Sequence, residues 1–389
     1  MYKDTIFSKL DYTLVFTVFL LFCTSLIAIH QAPLDFNLRH INFVNKQIQW
    51  YVISGIMAVL IILFDYERLR QIHWFFYGFG IFLLLGISMA QFLHVPVPFV
   101  HPIKGAWSWY QLPGIGQIQP SEFMKLFLII SMSAVIFNHN ETYAVRTVRE
   151  DFLLLGKIAL VAGLPFLLVL AQPDLGTALV MFAIIFSIVI ISGIRWQLIL
   201  TMVLSLIVGV IAFFIAWFQF PSLIGLILKQ HQSARFYGWL DPYKYTNDQG
   251  YQLITSLNAV GTGQLFNKGL DPAVFFPEAH TDFIFSVIAG SFGFIGASIV
   301  IALYFILIYR MVRAASLSHD PFGSYMITGF IGMFTFQIFE NIGMTIQVMP
   351  ITGITLPFLS YGGSSLLTSL MSIGLILSIQ ARKRTYMFS

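Results

Sequence analysis

Long apolar runs recur along this chain from Tyr12 to Gln380, and no other feature limits its fold as strongly. A run of about 20 apolar residues crosses a bilayer as a helix, because in hydrocarbon each backbone N–H and C=O must find its partner inside the segment. Charged residues make up only 10% of the 389 residues, against about 25% in an ordinary soluble domain. The chain therefore reads as an all-α polytopic membrane protein, one integral membrane domain over residues 1–389. Ten spans are expected, near 11–29, 47–64, 74–93, 120–137, 153–170, 175–192, 198–218, 283–309, 322–346 and 364–381.

Orientation follows from the basic residues. With N- and C-termini both cytoplasmic, the short inner segments hold Lys3, Lys9, Arg68, Arg70, Arg146, Arg149, Arg195, Arg310, Arg313, Arg382, Lys383 and Arg384. The opposite segments are longer and hold fewer, Arg39, Lys46, Lys104, Lys229, Arg235, Lys244 and Lys268, which places them outside. The first apolar run lacks a small-residue cleavage site and is expected to stay as a helix. A net charge of +4 without a nucleic-acid motif excludes nucleic acid as a partner, and the single cysteine, Cys23, excludes an internal disulfide.

Two outer segments, 94–119 and 219–281, are too long for simple connectors. The second is the large extracellular loop between the seventh and eighth helices, expected to cap an outer cavity. Within it, residues 251–260 read as a short amphipathic helix.

The polar residues cluster at the expected outer ends of the spans. In Phe275-Phe276-Pro277-Glu278-Ala279-His280-Thr281-Asp282-Phe283, two carboxylates and an imidazole stand at the edge of a hydrophobic helix. Asp282 reads either as a cap for a helix starting at Phe283 or as a base that takes a proton from a hydroxyl at the membrane entrance. In Gln119-Pro120-Ser121-Glu122-Phe123-Met124-Lys125, Glu122 and Lys125 share a helix face. They form a structural ion pair, or Lys125 holds a lipid phosphate with Glu122 orienting it. Lys104-Gly105-Ala106-Trp107-Ser108-Trp109-Tyr110 combines a cation with aromatic rings that suit either the membrane interface or a sugar face. Gln172-Pro173-Asp174-Leu175 makes Asp174 a helix cap or structural polar contact, and Arg235 suits either bidentate phosphate binding or a rim salt bridge. Glu340 and Asn341 lie inside the ninth span as structural polar groups. Beyond them, Gly362-Gly363-Ser364-Ser365 opens the last helix, where free N–H groups and the helix dipole favour an anion. A tight re-entrant turn without a ligand fits the same residues.

Five of these stretches, QPSEFMK, QPDLGT, WLDP with GYQ, PEAHTDFIF, and NIGM followed by PITGITLPFLSYGGSS, occur in order from about residue 100 to the C-terminus. Together they resemble the SEDS family of bacterial wall proteins, to which the RodA, FtsW and SpoVE proteins belong. The resemblance implies a ten-span peptidoglycan glycosyltransferase. It would polymerise lipid II at the outer face of the cytoplasmic membrane, beside a class B penicillin-binding protein transpeptidase and other elongation-complex membrane proteins. It carries the essential acid of the family to Asp282, the Glu and Lys of a helix start to Glu122 and Lys125, and a tryptophan to Trp109. Glu278, His280, Thr281, Gln119, Gly362, Gly363 and Ser364 complete the expected substrate contacts. The short N-terminus leans towards the RodA-like branch. The chain departs from the family pattern at Ala289-Gly290-Ser291, where many members carry Gly-Glu-Glu, and at Gln347, Ser108 and Asn267.

The mechanism expected is inverting transfer, with Asp282 as base and with Lys125, Arg235 and residues 362–365 stabilising the departing pyrophosphate. A divalent cation, Mg2+ or Mn2+, could share that task, but the spacings define no complete metal site. Two alternatives use the same residues differently. A lipid II flippase would use Glu122, Lys125 and Glu340 along a path, and a non-catalytic scaffold would act on a partner transpeptidase through its helices.

Overall fold

The computed structural model describes residues 6–33, 40–102, 107–113, 116–143, 147–172, 174–219, 230–246, 249–266 and 276–382. Of the sequence features above, Lys3, Arg39, Lys104, Gly105, Ala106, Arg146, Pro173, Lys229, Asn267, Lys268, Phe275, Lys383 and Arg384 lie outside them, as do 220–229, 247–248 and 267–275 of the long loop.

Among the described residues, nine helices are long and apolar enough to cross a membrane. They are α1 (Tyr12–Gln31), α2 (Phe43–Leu63), α3 (Leu69–Phe92), α4 (Pro120–Thr142), α5 (Val148–Ala171), α7 (Trp196–Gln219), α10 (Ile284–Leu317), α11 (Pro321–Thr345) and α12 (Gly363–Ala381). The sixth expected run is α6 (Leu175–Ile191), apolar but only 17 residues long. Two further helices, α8 (Gln230–Leu240) and α9 (Gln249–Thr262), lie between α7 and α10 in sequence, and α9 contains the amphipathic stretch 251–260. The architecture is all-α as expected, with one short addition. An antiparallel pair, β1 (Tyr110–Leu112) with β2 (Gly116–Ile118), precedes α4, with Gln111 opposite Gln117.

Local chemistry sets the helix starts. Asp11, Asn42, Asp174 and Asp320 each accept a hydrogen bond from a backbone N–H in the first turn of α1, α2, α6 and α11. Pro120 and Pro321 open α4 and α11, where a missing N–H costs nothing.

The core is a polar-studded bundle around α4, in which Met124, Leu128, Ile129, Met132, Ala134 and Ile136 are fully buried. α11 packs on α4 and α6, α12 on α2, and α10 on α1 and α11. The outer faces are apolar and open, with Leu160 of α5 79% exposed, as expected where the solvent is lipid. α7 carries this furthest, since its central window has no buried residue.

α10 is 34 residues long, about 50 Å of helix, well beyond the hydrocarbon thickness. Gly293 breaks its regularity with φ 66°, and a Cβ there would meet the carbonyls of Leu265 and Gly263 at under 3 Å. Phe294 donates to the carbonyl of Gln264, so the kink is where the chain after α9 is stitched to α10. Gly263 packs as tightly, because a Cβ there would lie 2.0 Å from the backbone carbonyl of residue 289.

Candidate functional site

Between α11 and α12 the chain runs without helix through 346–362. Pro350 and Pro357 interrupt it, and Gln347, Gly353 and Phe358 adopt positive φ of 64°, 76° and 66°. Such backbone survives between membrane helices only if its polar groups are satisfied by protein. Four consecutive carbonyls are. Tyr304 of α10 donates to Pro357 O at 2.6 Å, Tyr51 of α2 to Phe358 O, Ser25 of α1 to Leu359 O at 2.8 Å, and Gln47 of α2 to Ser360 O at 3.2 Å. Three helices thus hold one turn of irregular chain.

That turn holds the segment before α10. Tyr361 N–H donates to His280 O at 2.9 Å, and the Ser360 hydroxyl donates to Thr281 O at 2.5 Å. The buried His280 ring packs on Phe43, 4.5 Å between centroids, and Phe43 meets Tyr361 edge-on. Thr281 donates to the Glu278 carboxylate at 3.0 Å, and Glu278 itself has φ 54°. Asn341 of α11 then clips both strands, its Nδ2 donating at 2.7 Å to Asp282 O and to Ile354 O.

Asp282 does not cap α10. The helix starts at Ile284 and its cap position is Phe283, so Asp282 is not its cap residue. Its Oδ2 lies instead beside Gly353, 3.3 Å from where a Cβ would stand, and the Arg235 guanidinium from α8 flanks the same point at 3.7 Å. Arg235 Nη1 donates to Thr352 O at 2.7 Å, and the Thr352 hydroxyl donates to the carboxylate of Glu340, which is 0% exposed. Base candidate, guanidinium and buried carboxylate therefore meet around one glycine.

A second polar cluster forms at the start of α4. Lys125 Nζ lies 2.8 Å from Glu122 Oε1, and Thr368 of α12 donates to Glu122 Oε2 at 3.2 Å. The geometry is that of the structural ion pair. Lys125 is 1% exposed, so it reaches no solvent and is not poised to take a headgroup directly. Gln119 donates through Nε2 to Asp174 at 3.0 Å and through its backbone to Ser364 Oγ at 3.0 Å. Asp174 caps α6 through Thr177, as expected; burial pushes its carboxyl up and the Thr177 bonds oppose that. Gly176 joins the two clusters, since a Cβ there would touch Thr352 O at 3.2 Å.

The start of α12 is less open than its glycines suggest. Gly362 has extended backbone, and the Trp50 indole lies against Gly363 so closely that a Cβ would sit 2.2 Å from it. Trp109 is half-buried just before β1, and among the described residues it makes no hydrogen bond to either cluster. Ser25, Gln47, Trp50, Tyr51 and Tyr304 carry no motif; a polar atom inside an apolar run was their only signal. Gln347 is explained locally. It takes the positive φ and exchanges two bonds with Trp239, Trp239 Nε1 to Gln347 O at 3.0 Å and Gln347 Nε2 to Trp239 O at 2.9 Å.

A divalent cation does not fit this donor set. Among the described residues no three His, Cys, Asp or Glu side chains converge, and the carboxylate of Asp282 shares its place with a guanidinium.

The chain matches a family model described as cell cycle protein, FTSW_RODA_SPOVE, over residues 12–385. It is 34% identical over 314 residues to stage V sporulation protein E of Bacillus subtilis, covering 78% of this chain and 79% of that one. It is 33% identical over 384 residues to the probable peptidoglycan glycosyltransferase FtsW of the same organism, covering 95% and 90%. Its fold is similar to the crystal structure of the rod shape determining protein RodA of Thermus thermophilus, with TM-score 0.67, 26% identity and coverage of 97% and 98%. A chain in a solved peptidoglycan synthase complex that coordinates polymerization and crosslinking superposes with TM-score 0.76 at 27% identity, covering 95% and 97%. With ordered motifs, matching fold and near-full-length relatives together, this chain belongs to the FtsW, RodA and SpoVE family of cell cycle proteins.

Proposed function

We propose that this chain is a ten-span peptidoglycan glycosyltransferase that polymerises lipid II at the outer face of the cytoplasmic membrane, with Asp282 as its base. α6 supplies the tenth span, short because its outer end is taken up by the Asp174 turn. Both termini face the cytoplasm, since Arg70, Arg310, Arg313 and Arg382 gather at the end of the bundle opposite Asp282.

Asp282 removes the proton from the 4-hydroxyl of the GlcNAc on an acceptor lipid II. That oxygen attacks the anomeric carbon of the lipid-linked glycan with inversion, and the pyrophosphate departs with the bonding electron pair. Arg235 is the cation nearest to hand for the charge that develops, and the N–H groups at the start of α12 add to it. The Glu122–Lys125 pair acts from below, bracing α4 against Thr368 so that the α12 start stays aimed. α8 and α9 roof the site, α9 being docked through Ser256, whose hydroxyl donates to Thr345 O at 2.7 Å. A crosslinking transpeptidase, a class B penicillin-binding protein, is the natural partner, because uncrosslinked strands are its substrate.

The observation that carries this reading is the convergence of Asp282 and Arg235 on Gly353. The test is purified protein, alone and with its partner, given lipid II in detergent. Strand formation supports the enzyme. Lipid II crossing sealed vesicles without strand formation would replace it with a flippase, and strand formation only from the partner would leave a scaffold.

A further inference from the structure

One cavity lies far from Asp282. It measures about 570 Å³ and sits at the other end of α10, where the inner ends of α3, α4, α10, α11 and α12 meet the turn Ile6–Lys9. We propose that this cavity seats the phosphodiester headgroup of an anionic phospholipid from the cytoplasmic leaflet.

Its floor is aromatic. Phe322 stacks on Tyr66 and meets Phe137 edge-on, both at 6.4 Å between centroids. Arg70 lies over the Phe137 ring, 4.5 Å from guanidinium carbon to centroid. Held by its face, the guanidinium keeps its N–H fork directed outward along its edge, the geometry that takes two oxygens of a phosphate.

Five Lys and Arg line the cavity against four Asp and Glu. Two of the acids are committed, Asp11 to Arg310 at 2.5 Å and Asp320 to the backbone of Phe322 and Gly323. Two of the cations are committed as well, Arg310 to Asp11 and Arg382 to the carbonyls of Ile62 and Leu63 at 3.0 Å. Lys9, Arg70 and Arg313 remain on the rim, all exposed, with Glu67 and Glu141 beside them. Three cations draw a phosphodiester. A basic pocket between membrane helices on the cytoplasmic side is where anionic headgroups bind, and the cytoplasmic leaflet is rich in them. The site rests on the orientation proposed above only for which leaflet supplies the lipid.

The experiment uses the full chain, delipidated in detergent, with retention of phosphatidylglycerol and phosphatidylcholine read by native mass spectrometry. Phosphatidylglycerol is retained in preference, and Arg70→Ala with Arg313→Ala weakens that retention by about thirtyfold, at about fivefold per cation. Arg310 and Arg382 stay intact because they tie helices together. The single surface change Arg313→Gln, expected to leave the fold unchanged, reads the effect of one cation. Competition by inorganic phosphate would assign recognition to the phosphate itself; failure to compete would assign it to the anchored lipid, and both keep the site. Equal retention of the two lipids, or retention unchanged in both variants, overturns it. Labelling a Ser318→Cys protein in vesicles tests orientation separately, because binding in detergent does not depend on it.

Discussion

Arg235 donates to the carbonyl of Thr352 at 2.7 Å, and through that bond α8 is fastened to the irregular chain beside Asp282. A lysine keeps the charge but lacks the planar fork that reaches the carbonyl and a phosphate oxygen together. Arg235→Lys is therefore expected to raise KM for lipid II and to lower kcat, with Arg235→Ala more severe. Initial-rate assays on purified protein check this; wild-type constants for Arg235→Lys would remove Arg235 from the site.

Glu340 is predicted to position Thr352 from beneath. Gln at 340 can still accept the Thr352 hydroxyl through its amide oxygen, whereas Ala leaves that hydroxyl unpaired in a buried place, at a cost of about 1–3 kcal/mol. Thermal unfolding in detergent should rank wild type, Glu340→Gln and Glu340→Ala in that order, with turnover following the same order. Equal melting of the two variants contradicts the positioning role.

The four carbonyls at 357–360 supply a sharper case. Tyr304→Phe removes one hydroxyl and leaves Pro357 O buried without its donor, a loss of about 1–3 kcal/mol. Tyr304 lies in α10, is 2% exposed and cannot touch substrate, so any fall in turnover reports loosening of the turn that holds His280 and Thr281. An unchanged melting temperature would show that the turn does not need this bond.

Lys125 and Glu122 make a buried pair, and removing one partner strands the other. Lys125→Met is expected to cost about 3–5 kcal/mol, and Lys125→Met with Glu122→Gln to recover most of it. A double variant no more stable than the single one argues against the pair as a brace.

Much of this was legible in the sequence for a physical reason. In lipid a helix is announced by length and apolarity alone, so the helices appear where the runs are; α6 and α11 start within one residue of expectation, whereas α2 starts earlier because Asn42 caps it. Asp282 and Asn341 fell in motifs, Arg235 and Glu340 stood out as single charges, and the fold does gather them. The carbonyl-holding side chains were not legible, because Tyr51 and Tyr304 resemble ordinary span aromatics and their partners lie 307 and 53 residues away. The strand pair before α4 was missed although Pro113-Gly114 is a turn signal, its strands being only three residues each. Capping by Asp282 failed because Phe283 turns the chain once more before the helix begins.

The most direct measurement is strand synthesis by purified Asp282→Asn protein supplied with lipid II in detergent. An amide keeps the shape and the bond from Asn341 to the backbone carbonyl but cannot take a proton, so the account predicts wild-type melting and no glycan above background. Strands made by this variant at the wild-type rate would contradict it.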